Sequence, residues 1–333
     1  MIRDRIRSGR LEACHGPYRN PWFLVKKKDG KHRLINAAMH INKVTKRDAN
    51  LPPNADEFSE GFAGNVITSL IDFFSGYDQI ELAETSRDLT AFQTESHGLV
   101  RQTTLPQGAT NSVAQFVRIV SKILEAHIPG RAMPYMDDIG VHGSRTTYND
   151  EEVLPGIRRY VLEHIQWVDS VLYDIELAGG TASGAKTQWL MPGIKVVGYV
   201  CDADGRHPDN AKIAKIVNWE DCRDLTSARA FMGICTFYRL WVKHFATVSE
   251  PIFRLFRTGV EFAWGPEQVA SMDALKIALT TAPALVQLNY SDGAGEIILM
   301  VDASLNGWGA ALMQIGQDRK RHPCRYKSGI WSV

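Results

Sequence analysis

Short stretches of extended, apolar-rich sequence alternate along this chain with stretches in which apolar residues recur every three or four positions. That pattern predicts a mixture of strands and helices. Trp22-Phe23-Leu24-Val25 leads through Lys26-Lys27-Lys28 to Asp29-Gly30 and on to Arg33-Leu34-Ile35, which predicts a basic β-hairpin. Pro52-Pro53-Asn54 breaks the chain before a short helix over 55–62. The run from Val66 to Asp72 predicts a buried strand that ends in a carboxylate. After Leu105-Pro106-Gln107-Gly108, Asn111 is placed to cap a helix through Val113, Phe116, Val117, Val120 and Leu124, ended by Pro129-Gly130.

A second hairpin is predicted where Met133-Pro134-Tyr135-Met136 and Ile139-Gly140-Val141 bracket the pair Asp137-Asp138. Residues 157–178 have helical spacing through Ile157, Val161, Ile165, Val168 and Leu172, with Gly179-Gly180 as the stop. Strands follow over 187–191 and 195–201, then a helix capped by Asp209 and another from near Thr226. A last strand, Ile297 to Asp302, ends in a carboxylate before the glycine-broken stretch Asn306-Gly307-Trp308-Gly309. There is no internal repeat and no low-complexity linker.

The chain's 333 residues suggest two or three domains with ample core. No apolar run is long enough for a bilayer, and Met1-Ile2-Arg3-Asp4-Arg5 lacks the apolar stretch of a signal peptide, so an intracellular, non-secreted protein is expected. Cys14, Cys201, Cys222, Cys235 and Cys324 form no CxxC pair, which argues against zinc and disulfides and for reduced thiols. The net charge of +1 conceals an asymmetry, because residues 1–47 hold thirteen Lys and Arg against Asp4, Glu12 and Asp29. A basic end on an otherwise acidic body is suited to phosphate, where counterion release drives association.

Asp72 at one strand end and Asp137-Asp138 at a hairpin turn are hard oxygen donors of the kind magnesium prefers. On neighbouring strands they could hold two ions about 3.5–4 Å apart, the clamp for in-line displacement at phosphorus. Lysines and Arg33 on the first hairpin suit a triphosphate. Taken singly, each piece is more often a turn or strand-end residue than a ligand.

Taken in order, the motifs converge. Asn20-Pro21-Trp22-Phe23-Leu24-Val25-Lys26-Lys27-Lys28-Asp29-Gly30-Lys31-His32-Arg33, Ile41-Asn42-Lys43-Val44-Thr45, Ser69-Leu70-Ile71-Asp72 with Ser75-Gly76-Tyr77-Asp78-Gln79-Ile80, Leu105-Pro106-Gln107-Gly108 and Tyr135-Met136-Asp137-Asp138 together resemble the polymerase of gypsy-type long-terminal-repeat retrotransposons. Leu51 to Phe58 and Ala109 to Val113 look most like fungal members. Phe231-Met232-Gly233 through Phe237-Tyr238-Arg239, with Phe262-Ala263-Trp264, resemble the family's connection to a ribonuclease H domain, whose first strand resembles Met300-Val301-Asp302-Ala303-Ser304.

The resemblance implies an α+β right-hand polymerase: fingers and palm over 1–145, the end of the palm and thumb over 146–222, a helical connection over 223–290 and a truncated ribonuclease H-like α/β domain over 291–333. It implies RNA-directed DNA polymerase activity on a primed RNA or DNA template with deoxynucleoside triphosphates, in a cytoplasmic particle or the nucleus. Asp72, Asp137 and Asp138 would bind two Mg2+ ions, with Mn2+ as a substitute. Lys27 and Arg33 would contact the triphosphate; Gln107, Tyr135 and Met136 would line the nucleotide pocket; Tyr77 would be the aromatic gate against a ribose 2′-hydroxyl. Val197, Gly198 and Tyr199 would form the primer grip. Asp78 alternates away from the site and is left out, and Trp22 and Phe23 are either template-stacking or packing residues.

Two departures from the family pattern stand out. Asn36-Ala37-Ala38-Met39-His40 replaces a segment that usually carries an acid and an arginine, which implies weaker template or nucleotide contacts. Asp302 stands without the rest of a ribonuclease H carboxylate cluster, so RNA cleavage is not expected, and the absence of protease and integrase regions suggests a polyprotein fragment or a truncated copy. A non-catalytic nucleic-acid-binding remnant and a two-metal nuclease remain as alternatives at this point.

Overall fold

The computed structural model describes residues 1–27, 30, 32–50, 53–305 and 307–331. The expected turn residues Lys28 and Asp29, together with Lys31, the Leu51-Pro52 step and Asn306, lie outside the described residues. The chain divides into two units: Met1–Asn54, Ser69–Gly143 and Glu152–Leu190 form the first, and Ala55–Thr68, Ser144–Glu151 and Met191–Val333 form the second.

The first unit is built around a four-stranded sheet in the order Gln188–Met191, Thr68–Asp72, Asp138–Val141, Ala132–Tyr135. Thr68 to Ile71 are all buried, so this strand is covered on both faces and carries a continuous buried run rather than an alternation. The helices Ser112–Ile123 and Arg159–Leu177 supply Phe116, Val120, Val168, Val171 and Ile175 to the core that holds Ile71 and Ile139. Each such side chain stabilises by roughly 1.5–3 kcal/mol when fully buried.

A polar chain crosses this core. Leu190 N–H donates to Ser69 Oγ at 3.0 Å, and Ser69 Oγ lies 2.8 Å from His164 Nε2. His164 Nδ1 lies 3.0 Å from the carbonyl oxygen of His142. That carbonyl can only accept, so Nδ1 carries the proton and Ser69 donates to Nε2. The result ties an edge strand, the Asp72 strand, the Asp138 strand and a covering helix through one neutral imidazole.

A second, smaller core in this unit joins Leu11, Leu34, Phe92 and Val100. The three-stranded sheet Leu11–Ala13, Gly98–Gln102, Phe92–Thr94 lies beside it in the chain's fold, and the basic hairpin forms as expected from Trp22–Lys26 and His32–Asn36, with Val25 opposite Arg33.

Two helix boundaries differ from the sequence expectation. Asn111 makes no side-chain cap, because its Oδ1 accepts from Asp48 N–H and its Nδ2 donates to the Lys46 carbonyl. Ile157 lies outside the long helix: Ile157–Arg158 pairs back on Glu152–Leu154 as a small hairpin, and the helix starts at Arg159.

In the second unit a three-stranded sheet, Gly193–Val196, Tyr199–Asp202 and Gly205–Pro208, is followed by helices Asn210–Val217, Leu225–Phe237, Phe245–Arg254 and Pro266–Thr280. Asp209 caps the first of these by accepting from Ala211 N–H, as its sequence position predicts. The strand expected over 195–201 is instead a hairpin that turns at Val197-Gly198, with φ of +43° and +90°. A glycine in the left-handed region closes the turn there, where a strand reading runs straight through.

The unit ends in a sheet of Ile297–Ala303, Gly307–Ile315 and Arg321–Ile330. Gly307-Trp308-Gly309, in a stretch expected to be broken by glycine, opens the nine-residue strand Gly307–Ile315, whose register against Arg321–Ile330 shifts between Leu312 and Met313. Gly309 is there for close approach: a Cβ at this position would come within 2.7 Å of His244 Nδ1. All five cysteines are buried and none is in a disulfide. Among the described residues, no helix is long and apolar enough to cross a membrane.

Candidate active site

The site grows from the ends of the two central strands of the first unit. Asp72 closes one strand and sits directly opposite Asp138, which opens the other. Tyr135 is opposite Asp138 on the far side, leaving Met136 and Asp137 as a two-residue turn with Met136 at φ +54°. A non-glycine residue in that region is uncommon and marks a turn held by its surroundings. Phe73 N–H donates to the Asp137 carbonyl at 3.1 Å, which fixes the turn against the end of the Asp72 strand.

The three carboxylates repel one another in a partly dry setting. Burial, then the charges of Asp137 and Asp72, push the Asp138 carboxyl up to about 6, with Lys186 opposing. Lys186 Nζ stands 2.8 Å from Oδ1 and 3.0 Å from Oδ2 of Asp72. Its hydrogen bond to Asp72 holds the ammonium above its ordinary value. Among the described residues, no three His, Cys, Asp or Glu side chains converge as a ready ligand set. The donor chemistry nonetheless fits a divalent cation: three hard carboxylates, one of them raised by burial and then by the charges of the other two, with Lys186 opposing.

Tyr77 lies on the 3-10 turn Gly76–Gln79, its ring stacked on Phe116 with centroids 5.1 Å apart and planes at 22°. Burial and the Asp137 charge raise its phenol, and Arg33 acts in the opposite sense, so these three side chains share one electrostatic neighbourhood. Lys27 and Arg33 are exposed at the end of the basic hairpin.

Gln107 is held by its backbone. Its carbonyl accepts from Asn36 N–H at 3.2 Å, and the Asn36 side chain donates to the Thr90 carbonyl at 2.6 Å. Asn42 Nδ2 donates to the Gly108 carbonyl at 2.9 Å and Asn42 Oδ1 accepts from Thr110 N–H at 2.9 Å. The segment from Asn36, read from sequence as a weakened contact surface, thus braces the Gln107-Gly108 loop. The buried Oε1 of Gln107 has no hydrogen-bond partner among the described residues, so the amide has an acceptor left over.

The remaining expected residues divide. Trp22 is a packing residue, its indole N–H on the Gln93 carbonyl and its ring against Phe92, whereas Phe23 is 51% exposed. In the second unit Val197 and Gly198 form a turn, but Tyr199 is only 3% exposed and stacks on Phe237, so its side chain supports the hairpin from within. Asp302 pairs opposite Gly309 and is exposed. The sequence gives no sign of the roles of Lys186 and His164, because their partners Asp72 and Ser69 lie 114 and 95 residues away.

Comparisons with known proteins identify the family and the fold. Residues 25–201 match the model of the family described as reverse transcriptase (RNA-dependent DNA polymerase), and residues 264–332 match the RNase H-like domain found in reverse transcriptase. The Retrovirus-related Pol polyprotein from transposon 412 of Drosophila melanogaster is 32% identical over 94% of this chain and 24% of its own length. The Transposon Tf2-3 polyprotein of Schizosaccharomyces pombe is 24% identical over 99% of this chain and 23% of its own. The chain therefore spans about a quarter of the length of these relatives. A solved foamy viral protease-reverse transcriptase in complex with double-stranded DNA matches 99% of this chain and 55% of that one, with a TM-score of 0.85 and 23% identity. A second, in complex with an RNA/DNA hybrid, gives a TM-score of 0.79 over 99% of this chain and 42% of that one. The α+β fold is thus that of a right-hand polymerase followed by an RNase H-like domain, and with more than half of its length matched by the family model, the chain belongs to the reverse transcriptase family.

Proposed function

We propose that this chain is the RNA-directed DNA polymerase segment of a gypsy-type long-terminal-repeat retrotransposon polyprotein, of the fungal type, extending a primer on an RNA or DNA template with deoxynucleoside triphosphates. The observation that carries the reading is the cross-strand pair Asp72 and Asp138, with Asp137 on the adjoining turn. Asp72, Asp137 and Asp138 would hold two Mg2+ ions, or Mn2+ in their place. When bound, these ions lower the barrier to in-line displacement at phosphorus by neutralising charge on the attacking and leaving oxygens.

The chain's own residues do the rest. Lys27 and Arg33 draw the triphosphate to the exposed end of the basic hairpin where Lys26 pairs with His32, Arg33 by forked contacts. Gln107 lines the nucleotide pocket, on a loop braced through Asn36. Tyr77, stiffened against Phe116, blocks the space of a 2′-hydroxyl. Tyr135 and Met136 carry the backbone that presents the two aspartates, and the Val197-Gly198 turn, backed by Tyr199, bears on the primer strand. Template pairing selects the base, while contacts to the backbone position the duplex.

The domain division proposed with this reading is fingers and palm over 1–145, palm end and thumb over 146–222, connection over 223–290 and RNase H-like over 291–333. Asp302 lies on the first strand of the last part. The site of action proposed is inside the cell, in a cytoplasmic particle or the nucleus, a reading supported by the retrotransposon polyproteins among its relatives.

Primer extension tests the proposal directly. Purified chain with Mg2+, a primed RNA template and deoxynucleotides should extend the primer, and Asp137→Asn should abolish extension while leaving duplex binding in place. Binding without extension by the unaltered chain would identify a nucleic-acid-binding remnant, and degradation without deoxynucleotides would identify a nuclease; either defeats the polymerase reading.

A further inference from the structure

The turn that carries Tyr77 is tethered at each of its residues. Gly76 packs against Phe116 so closely that a Cβ there would meet the ring at 2.8 Å. The Gln79 side chain donates to the Phe74 and Thr181 carbonyls at 2.5 and 2.9 Å and accepts from Thr181 N–H at 2.7 Å. Ser75 opens the turn in the left-handed region at φ +52°, and its carbonyl accepts from Asp78 N–H at 2.7 Å. A turn this tight moves as one piece.

Its remaining tether comes from the chain's first helix, Ile2–Arg7. Arg5 Nη1 donates to Asp78 Oδ2 at 3.0 Å and Nη2 to Oδ1 at 2.5 Å, a forked pair spanning 73 residues. The two side chains are only 18% and 14% exposed. Thr104 Oγ1 adds a contact to Oδ1 at 3.4 Å, and Arg10 Nη1 lies 3.8 Å from Oδ2. Bidentate pairs of this kind fix geometry as well as contributing energy. Both carboxylate oxygens of Asp78 are taken up by Arg5, and Thr104 adds to one of them, which makes Asp78 the handle of the turn.

We propose that the Arg5–Asp78 pair positions Tyr77, so that the N-terminal helix sets how strictly the site excludes a ribonucleotide. The proposal rests on the reading of Tyr77 as the sugar gate. Stacking on Phe116 defines the plane of the ring and the spacing of the stack; sliding of the ring along that face is left to the backbone of the turn. Asp78 is the next residue along that backbone. Discrimination by a gate turns on the size of one oxygen atom, and misplacement on the ångström scale costs rates about 100-fold in reacting geometries. A smaller slip at Tyr77 should therefore register as altered sugar choice before it registers as lost activity.

The test is single-nucleotide insertion opposite guanine, on an RNA template with a DNA primer, comparing CTP with dCTP. Asp78→Asn and Arg5→Gln, each in the full chain, should raise the CTP-to-dCTP ratio of kcat/KM by about 3- to 10-fold, with the gain in the KM for CTP. The double variant should go no further than either single one, because both remove the same contact. Arg5→Lys, which keeps the charge but not the fork, should lie between. An unchanged ratio with both nucleotides used more slowly would make the pair merely structural and overturn the proposal. If Asp78→Asn does not fold, the two Arg5 variants decide the matter alone. Tyr77→Val separates the two levels: if it raises the ratio and the Arg5 and Asp78 variants do not, only the positioning role falls, whereas no effect of Tyr77→Val removes the gate and the positioning role together.

Discussion

Lys186 stands over Asp72 with its ammonium within hydrogen-bond distance of both carboxylate oxygens. A cation approaching Asp72 must displace or share that contact, and the ammonium also opposes its approach by charge. Lys186→Met should therefore lower the Mg2+ concentration giving half-maximal primer extension by about tenfold, equivalent to about 1.4 kcal/mol. A magnesium titration of both proteins checks this. An unchanged or higher requirement would mean that Lys186 orients Asp72 for the cation instead of competing with it.

How much of this was legible beforehand depends on the distance over which each signal acts. Asp72 and Asp138 are legible because each sits at the end of a strand with a local apolar signature, Asp137 because it lies in the turn between two such strands, and the ordered motifs around them supply the rest. Lys186 is not, because nothing near it in sequence points to Asp72. The apolar neighbours of Val197 predict a continuous strand, whereas the left-handed Gly198 decides the turn. The segment from Asn36 to His40 lacks the acid and the arginine that the resemblance leads one to expect, and the sequence does not show that Asn36, 1% exposed and bonded to the Thr90 carbonyl, is a brace.

The neutral imidazole of His164 makes the first unit sensitive to acid. Burial lowers its pKa below the ordinary 6.5, against the opposing bond to the His142 carbonyl. The native state thus binds this proton less readily than the unfolded chain. The contribution is fully present above about pH 6.5 and is lost as the pH falls below it. Urea midpoints between pH 8 and pH 5 should decline more steeply for the unaltered chain than for His164→Gln. At pH 8 the variant should be the weaker by about 1–3 kcal/mol, since the Ser69 and His142 groups lose their partner. Parallel declines would show that His164 does not carry the dependence.

The brace on Gln107 can be loosened from either side. Asn36→Ala leaves the buried Thr90 carbonyl unpaired and should cost about 1–3 kcal/mol in thermal or urea unfolding. Gly108→Ala is the sharper test, because its Cβ would lie 2.3 Å from the Asn36 carbonyl oxygen at a φ of +117°. The loop must shift to admit it, taking Gln107 along. The KM for deoxynucleotide should rise by about tenfold or more with little loss of template binding. A normal KM in Gly108→Ala would disconnect this loop from the nucleotide.

Val197 supplies a test in which stability and function should part company. A β-branched residue at φ +43° is a genuine outlier, with a cost of about 1–3 kcal/mol, and such strain collects at sites where a side chain is needed for another purpose. The adjoining Gly198 carbonyl is fixed by the Tyr238 hydroxyl at 2.8 Å, and Tyr199 is locked between aromatic rings, so the turn has no freedom to relax around Val197. Asparagine is tolerated in the left-handed region. Val197→Asn should therefore stabilise the chain by about 1 kcal/mol in urea unfolding. If the turn grips the primer through this side chain, the same variant should release primer-template faster and add fewer nucleotides per binding event. Greater stability with unaltered processivity would strip Val197 of any role at the primer and leave the strain without a purpose.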